Sequence, residues 1–354
     1  MVITRRASLD VTDGVNSFVF NLAKGFKKLG ARVILVHHHF SKDPDSWFRV
    51  NEVARLGIEL ITIGKRSSSL ARILWDWFSK GSRIINDLDP DAIIINGIVL
   101  LRVKRPKIAV IHGPLEEWKP SLVKRTAYRT LVKLFSDYRV AVSNHSKNDA
   151  ERLGVVVDTI IPIALDVTEY EPLPLAVREN IVLHVGTAPR KQAEISILAI
   201  KKCAEMGVDV RLVLIGPRND YVERLVKRYR GYSWFEYVGE IDDKTLHDYY
   251  SRARALILPS KAEGLPYVAL EAQASGTPVV VSKAVPPEAV IHGLTGFRLD
   301  TFDPNVYAMH IYEVLTDEAL WQRMSFAARK HAEKFHITEI AQLYVDLIKR
   351  LRGT

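Results

Sequence analysis

Short runs of apolar residues, rich in Val and Ile, recur along the chain, each followed by a longer stretch with apolar positions every three or four residues. The runs at 33–36, 59–63, 92–95, 108–111 and 139–142 predict one series of strands, and those at 181–185, 211–215, 236–238, 255–258 and 278–281 a second. They are apolar at consecutive positions, the mark of strands buried on both faces of a parallel sheet. The stretches between them, such as 15–29 and 69–87, carry helical spacing. Strands alternating with helices make βαβ units, so the expected fold class is α/β with open parallel sheets. Only Val2, Ile3 and Thr4 precede "RRASLDVTDG", so the first strand is expected to be short, or trimmed at its start.

Between the two series lies "IALDVTEYEPLPLAVREN", residues 163–180, with two prolines and several acids. It reads as a linker. The expected division is a Rossmann-like domain over 1–165, a linker over 166–179, a second Rossmann-like domain over 180–334 and a final amphipathic helix over 335–354. Two such halves place a cleft between the carboxyl ends of their strands, where open α/β sheets bind ligands. The length of 354 residues agrees, since one core rarely grows beyond about 250–300 residues.

Composition narrows the chemistry. With 47% hydrophobic and 26% charged residues the chain is not a disordered array, and its single cysteine, Cys203, excludes an internal disulfide or a thiolate zinc site. No apolar run reaches the roughly 18 residues that span a bilayer, and the start has no signal core, so a cytoplasmic setting is expected. The net charge of +9 suits phosphorylated ligands or anionic lipid. It is spread out apart from an excess over 102–133, and no zinc-finger spacing occurs, which weighs against nucleic acid.

The most informative segment is "LPSKAEGLPYVALEAQASGTPVVVS", residues 258–282. A strand ends at Pro259, and a turn with Glu263 and Gly264 follows. Pro266 suits the first turn of a helix that runs through Glu271 to Ser275, with Gly276 as its stop. Amides at the helix start form an anion site suited to phosphate. Glu271 lies about 7–8 Å further along the axis, in reach of a ribose. Glu263 precedes the helix and can face what hangs beyond the last phosphate. In "NIVLHVGTAPRKQAEISILAI", residues 180–200, a strand ends at Gly186 and a short loop delivers Arg190 and Lys191. Two cations there suit a phosphorylated ligand.

The Glu263-x7-Glu271 spacing within "EGLPYVALEA", with "SGTPVVVS" and "PPEAVIHGLTGF" after it, resembles the donor-site signature of the family-4 retaining glycosyltransferases. That resemblance implies the GT-B fold, two Rossmann-like domains with parallel sheets facing across a cleft. It implies that Glu271 binds the ribose, that Glu263 contacts the sugar, and that the backbone of Gly264, Leu265 and Pro266 meets the diphosphate. "GT…PRK" resembles a variant of the family's second donor loop, with Gly186 and Thr187 in the loop and Lys191 on the phosphate. Thr187 stands where the family usually has an arginine, and Arg190 is the nearby cation. "DVTDGVNSFVF" resembles the loop before the first helix, where Gly14 would let backbone approach a phosphate. "IAVIHGPLEEW" places His112 where the family has a histidine near the transferred sugar or acceptor. The final helix would cross back onto the first domain.

The implied activity is transfer of a sugar from a UDP- or GDP-linked donor to an acceptor hydroxyl, a glycan or a lipid-linked one, with retention of the α-configuration. No cofactor and no metal is implied, because no Asp-x-Asp motif stands on a suitable loop. The alternatives are another GT-B enzyme, such as a nucleotide-sugar epimerase, or an inactive scaffold subunit. His37, His38 and His39 close a strand and point to alternating faces, a poor metal set. Residues 116–135 interleave Lys119, Lys124, Arg125, Arg129 and Lys133 with Trp118, Leu122, Tyr128, Leu131 and Phe135. This fits either a basic helix on an anionic membrane surface or a solvated helix face. Trp75, Trp77 and Phe78 would line an acceptor groove or simply pack.

Overall fold

The structure is a computed structural model, and it describes residues 1–5, 14–38, 53–65, 69–113 and 121–353. The chain divides into two compact units, Met1–Ala164 with His336–Thr354, and Leu165–Phe335. The first holds a seven-stranded sheet in the order β3-β2-β1-β4-β5-β6-β7. Its strands are β1 Val2–Arg5, β2 Ile34–His38, β3 Glu59–Ile63, β4 Ile93–Asn96, β5 Lys107–Ile111, β6 Tyr138–Ala141 and β7 Thr159–Ile160. The second holds six in the order β10-β9-β8-β11-β12-β13: β8 Ile181–Val185, β9 Arg211–Ile215, β10 Phe235–Gly239, β11 Ala255–Leu258, β12 Val279–Ser282 and β13 Gly296–Leu299. All named neighbours are parallel.

Both orders are doubly wound. They reverse between β1 and β4 and between β8 and β11, and ligands of such sheets bind outside the carboxyl ends at those points. Residues of β2, β4, β8, β11 and β12 are buried throughout, as their consecutive apolar positions require. The expected strands appear within a residue or so of their limits. The short β7 and the half-polar β13 carry no apolar run and were not expected.

The final helix, Ile337–Arg352, packs on Gly14–Lys28 within the first unit. Gly25 makes this possible, since a Cβ there would lie 2.3 Å from the Ile337 carbonyl oxygen and 2.9 Å from the Ala341 Cβ. Tyr344 fills the space beside it, its ring 6.5 Å from Phe18 and 6.4 Å from Phe26.

Two expected features are corrected. The stretch 69–87 is not one helix: Leu70–Asp76 and Ser82–Leu88 flank a π-helical turn, Trp77–Gly81. Gly81 lies where a Cβ would meet the Trp77 ring at 2.9 Å, and Trp77 is fully buried, whereas Trp75 is 65% exposed. The presumed linker, 166–179, is folded into the second unit. Arg178 donates to the carbonyls of Leu173, Ala253 and Ser275 at 2.8, 2.7 and 2.6 Å and to Thr277 Oγ1 at 2.7 Å. Arg329 holds the carbonyls of Val167, Tyr170 and Ala274 at 3.0, 2.9 and 2.6 Å. Burial lowers the Arg178 pKa to about 10, still far above neutrality, so the guanidinium stays charged.

Gly25→Ala gains helix propensity of at most about 1 kcal/mol and meets overpacking worth about 1–3 kcal/mol. We expect a melting temperature several degrees lower. Gly231→Ala, where nothing lies within 4 Å of the added Cβ, should leave it nearly unchanged. Equal melting of the two variants would contradict this packing.

Candidate functional site

The β8–β11 reversal brings two loops of the second unit together. After β8 the chain passes Gly186 at φ +101°, makes a tight turn over Pro189–Lys191, and enters the helix Ala193–Glu205 through Gln192 at φ +52°. After β11 it runs through Ser260 and Glu263 to the helix Tyr267–Ala274. The Lys261 N–H donates to the Arg190 carbonyl at 2.8 Å, and Arg190 Nη1 to the Ala262 carbonyl at 2.7 Å. These bonds lock the loops side by side.

Their side chains converge on Glu263. Arg190 Nη1 lies 3.0 Å and Lys191 Nζ 4.0 Å from Glu263 Oε1, and Ser260 Oγ donates to the same oxygen at 2.8 Å. Glu263 is 7% exposed. A carboxylate so buried needs partners of opposite charge, and here it has two. Lys191 Nζ also donates to the Val185 carbonyl at 3.2 Å. Desolvation pulls the Lys191 pKa down, Glu263 opposes this, and Arg190 adds to it.

Gly186 serves the lysine. A Cβ on it would lie 2.5, 2.7 and 2.9 Å from Lys191 Cδ, Cε and Nζ, so only glycine leaves the side chain its path. Beneath it, His184 is fully buried, 2.7 Å from Ser196 Oγ and 3.1 Å from the Gly186 carbonyl. Burial, together with the Lys191 charge, brings the His184 pKa down to about 3, so the ring is neutral. The carbonyl can only accept, so Nε2 carries the proton and Nδ1 accepts from Ser196. His184 thus steadies the turn that carries Lys191. Its one trace in the sequence is a polar residue within an apolar strand.

Glu271 stands one face along the helix. Tyr250 Oη donates to Glu271 Oε2 at 2.8 Å, and the Tyr170 phenol adds a weaker pull toward the carboxylate. Desolvation carries the carboxyl up to about 7 against the pull of Tyr250, Tyr170 and Lys191. Lys191 and Arg190 converge on Glu263, and the Lys191 charge also acts electrostatically on Glu271. Gly264, Leu265 and Pro266 are buried in the turn joining the two acids. Pro266 sits just before the first helical residue, not within the first turn, and Gly276 follows the helix at φ +68°. The positive end of the helix faces back toward this turn.

Thr187 departs from expectation. Its buried hydroxyl donates to the Pro217 carbonyl at 2.6 Å, and its carbonyl accepts from Asn219 Nδ2 at 3.0 Å. The side chain ties the loops after β8 and β9 together. Tyr170, Tyr250 and His184 were not singled out in the sequence.

His112 and Gly14 belong to the first unit. His112 follows β5, and its Nε2 lies 2.9 Å from Asn96 Oδ1. Asn96 Nδ2 donates to the Thr4 carbonyl at 3.2 Å, which fixes Oδ1 as the acceptor and Nε2 as the protonated nitrogen. Phe18 meets the imidazole edge-on at 4.7 Å. Gly14 is exposed at the start of its helix, and the loop residues 6–13 before it lie outside the described residues. His37 pairs with Thr62 Oγ1 at 2.8 Å and His38 with Asp76 Oδ2 at 3.0 Å, while His39 is outside the described residues. Among the described residues no group of three or more His, Cys, Asp or Glu could hold a metal ion.

Two family models match the chain. Glycosyltransferase Family 4 covers residues 12–168 and Glycosyl transferases group 1 covers 168–331. The chain is 27% identical over 197 residues to a D-inositol 3-phosphate glycosyltransferase of Streptomyces avermitilis, a match spanning 55% of this chain and 41% of that one. It is 31% identical over 156 residues to the O-antigen chain mannosyltransferase B of Escherichia coli, spanning 42% and 40%. The matches thus span about two fifths of the length of these relatives. Solved structures agree in fold over 99% of both chains: HepE of Anabaena in complex with UDP and glucose has a TM-score of 0.80 at 19% identity, and sucrose-phosphate synthase of Thermosynechococcus elongatus 0.79 at 20%. With two doubly wound parallel sheets, two adjoining family models and the GT-B likeness, the chain belongs to the group 1 glycosyltransferases of family 4.

Proposed function

We propose that the chain transfers a hexose from a nucleoside diphosphate sugar to an acceptor hydroxyl with retention of configuration. The observation that carries this reading is the convergence of Lys191 and Arg190 on Glu263 at the sheet reversal, with the Lys191 charge acting also on Glu271. Glu271 binds the ribose, the turn Gly264–Leu265–Pro266 meets the diphosphate, and Glu263 faces the sugar. UDP in the complexes of the Anabaena neighbour favours a uridine donor.

In the reaction the bond from the anomeric carbon to the phosphate oxygen breaks, and a bond from that carbon to the acceptor oxygen forms. The acceptor proton passes to an oxygen of the departing diphosphate. Negative charge grows on that group, and Lys191, held in a poorly hydrated place, stabilises it more than it stabilises the bound donor. Glu263 holds the two cations in place, and His112 is assigned to the sugar or acceptor side. No metal enters this scheme.

The helix Leu122–Phe135 bears on the acceptor and on location. Its inner face is not the lipid face expected: Tyr128 and Val132 pack on Ile111, Ala141, Ala150, Val155 and Val157. Arg125 donates to the Arg152 carbonyl, and Arg129 lies against Gly154. Trp118 and Lys119 lie outside the described residues. On the outer side Leu122, Val123 and Leu134 are 78%, 78% and 67% exposed beside Lys124 and Lys133. No described helix is long and apolar enough to cross a membrane. We assign this outer face to an anionic membrane surface, which would suit a lipid-linked acceptor.

UDP-, GDP- and ADP-sugars should be tested for thermal stabilisation and for acceptor-dependent release of the nucleoside diphosphate. One donor should raise the melting temperature and turn over. Stabilisation by none of them, or epimerised sugar as the only product, contradicts the assignment. Lys191→Ala should lower kcat by about 100-fold with a smaller rise in KM, as for loss of one transition-state donor. Gly186→Ala, which displaces the same side chain, should act in the same direction. Wild-type turnover in both variants would remove Lys191 from the mechanism.

Activity should persist in excess EDTA; loss restored by Mg²⁺ or Mn²⁺ would refute the metal-free scheme. The wild type should sediment with phosphatidylglycerol vesicles at low salt and less as salt screens the contact. The double change Lys124→Glu and Lys133→Glu should release it while donor binding persists. A wild type that stays in solution would mark the face as merely solvated.

A further inference from the structure

We propose that Tyr250 and Tyr170 are positioning residues for Glu271, holding its carboxyl in the orientation and ionisation state in which it receives a nucleotide ribose. The inference rests on the reading of Glu271 as the ribose contact and adds the residues through which that contact is made.

The two phenols arrive from different parts of the second unit. Tyr250 lies in the last turn of the helix Asp243–Arg252 and is fully buried, its Oη 2.8 Å from Glu271 Oε2. Tyr170 follows the short turn Val167–Glu169, within the stretch that reads in sequence as a linker, and is 5% exposed. Its phenol and the Glu271 carboxyl interact electrostatically, and its ring lies 4.2 Å from His247 and 6.5 Å from Tyr250.

Both are braced against the helix that carries Glu271. Arg329 Nη1 bonds the Tyr170 carbonyl at 2.9 Å and the carbonyl of Ala274, the last residue of that helix, at 2.6 Å. Thr277 Oγ1, three residues further on, donates to the Tyr250 carbonyl at 2.7 Å. The backbones of both tyrosines are therefore tied to the helix that carries the carboxyl.

The hydroxyls do what packing alone does not require. Burial and the neighbouring carboxylate push both phenols well above their ordinary value, so both keep their protons, and Tyr250 donates to the carboxyl. Tyr250, Asp243, Lys191 and Tyr170 face Glu271 electrostatically. Burial and Asp243 favour its neutral form, while the two phenols and Lys191 favour the carboxylate that accepts from ribose hydroxyls. Phenylalanine at either position would fill the volume and leave the carboxyl both less fixed and less ionised.

The test compares the affinities of the full chain for UDP and 2′,3′-dideoxy-UDP, and for the corresponding GDP and ADP pairs, by calorimetry from pH 5.5 to 8.5. The ratio within a pair isolates the ribose hydroxyls and cancels ionisation of the diphosphate. In the wild type the ratio should favour the ribonucleotide and should rise with pH through about 7 as the carboxyl ionises. Tyr250→Phe should cut the ratio by about tenfold at pH 7, the worth of a hydrogen bond to a charged group, and move the rise to higher pH. Its affinity for the dideoxy nucleotide should stay within about twofold, because a role in packing alone would move both ligands together. Tyr170→Phe should act in the same direction and carries the test if Tyr250→Phe fails to fold. Folded tyrosine variants with the wild-type ratio at every pH would overturn the proposal. Glu271→Gln separates the two layers. If it loses the ratio while the tyrosine variants keep it, only the positioning role fails. If Glu271→Gln keeps the ratio, or the wild type shows none, the ribose reading itself fails.

Discussion

A lysine held beside a buried carboxylate is the contact around which the second unit's loops are arranged. Lys191 and Glu263 have side chains only 13% and 6% exposed. Either charge alone in that place would be costly, and removing one partner strands the other. The arrangement spreads the burden: Arg190 and Ser260 share Glu263, and the Val185 carbonyl accepts a hydrogen bond from Lys191. It also restricts the backbone. Gly186 must lack a Cβ, Gln192 must adopt a left-handed conformation, and His184 must stay neutral to avoid adding a third buried cation.

Topology makes this meeting possible. Lys191 and Glu263 are far apart in sequence and come together because β8 and β11 are parallel neighbours at the sheet reversal. A second constraint sits behind them. Arg178 and Arg329 satisfy a row of carbonyls that would otherwise be stranded where 166–179 turns back over the unit. Three of those carbonyls, Val167, Tyr170 and Leu173, belong to the stretch that supplies Tyr170, and Ala274 and Ser275 end the helix that carries Glu271. The bracing of the backbone and the shaping of the acidic site are thus one set of bonds.

Much of this was legible in the sequence. Buried parallel strands betray themselves by consecutive Val and Ile, so β8, β9 and β11 were placed to the residue. Glu263 and Glu271 were singled out by their spacing around Pro266, and Arg190 and Lys191 by the short loop after the strand ending at Gly186. What escaped was whatever depends on tertiary satisfaction. Nothing in "DVTEYEPLP" announces that its tyrosine will reach a glutamate about a hundred positions on. The commitment of Thr187 to Pro217 depends on a neighbouring loop, and the π-helical turn at Trp77 depends on a glycine meeting an indole. In Leu122–Phe135 the sequence could not tell which apolar residues face inward: periodicity gives an apolar stripe, and packing takes Tyr128 and Val132 inside and leaves Leu122 outside.

The most direct measurement is a crystal structure of the chain with a bound nucleoside diphosphate. The account predicts the diphosphate against Lys191 and the Gly264–Leu265–Pro266 turn, with the ribose hydroxyls on a Glu271 still bonded to Tyr250. A diphosphate away from Lys191, or a ribose that leaves Glu271 untouched, would contradict it.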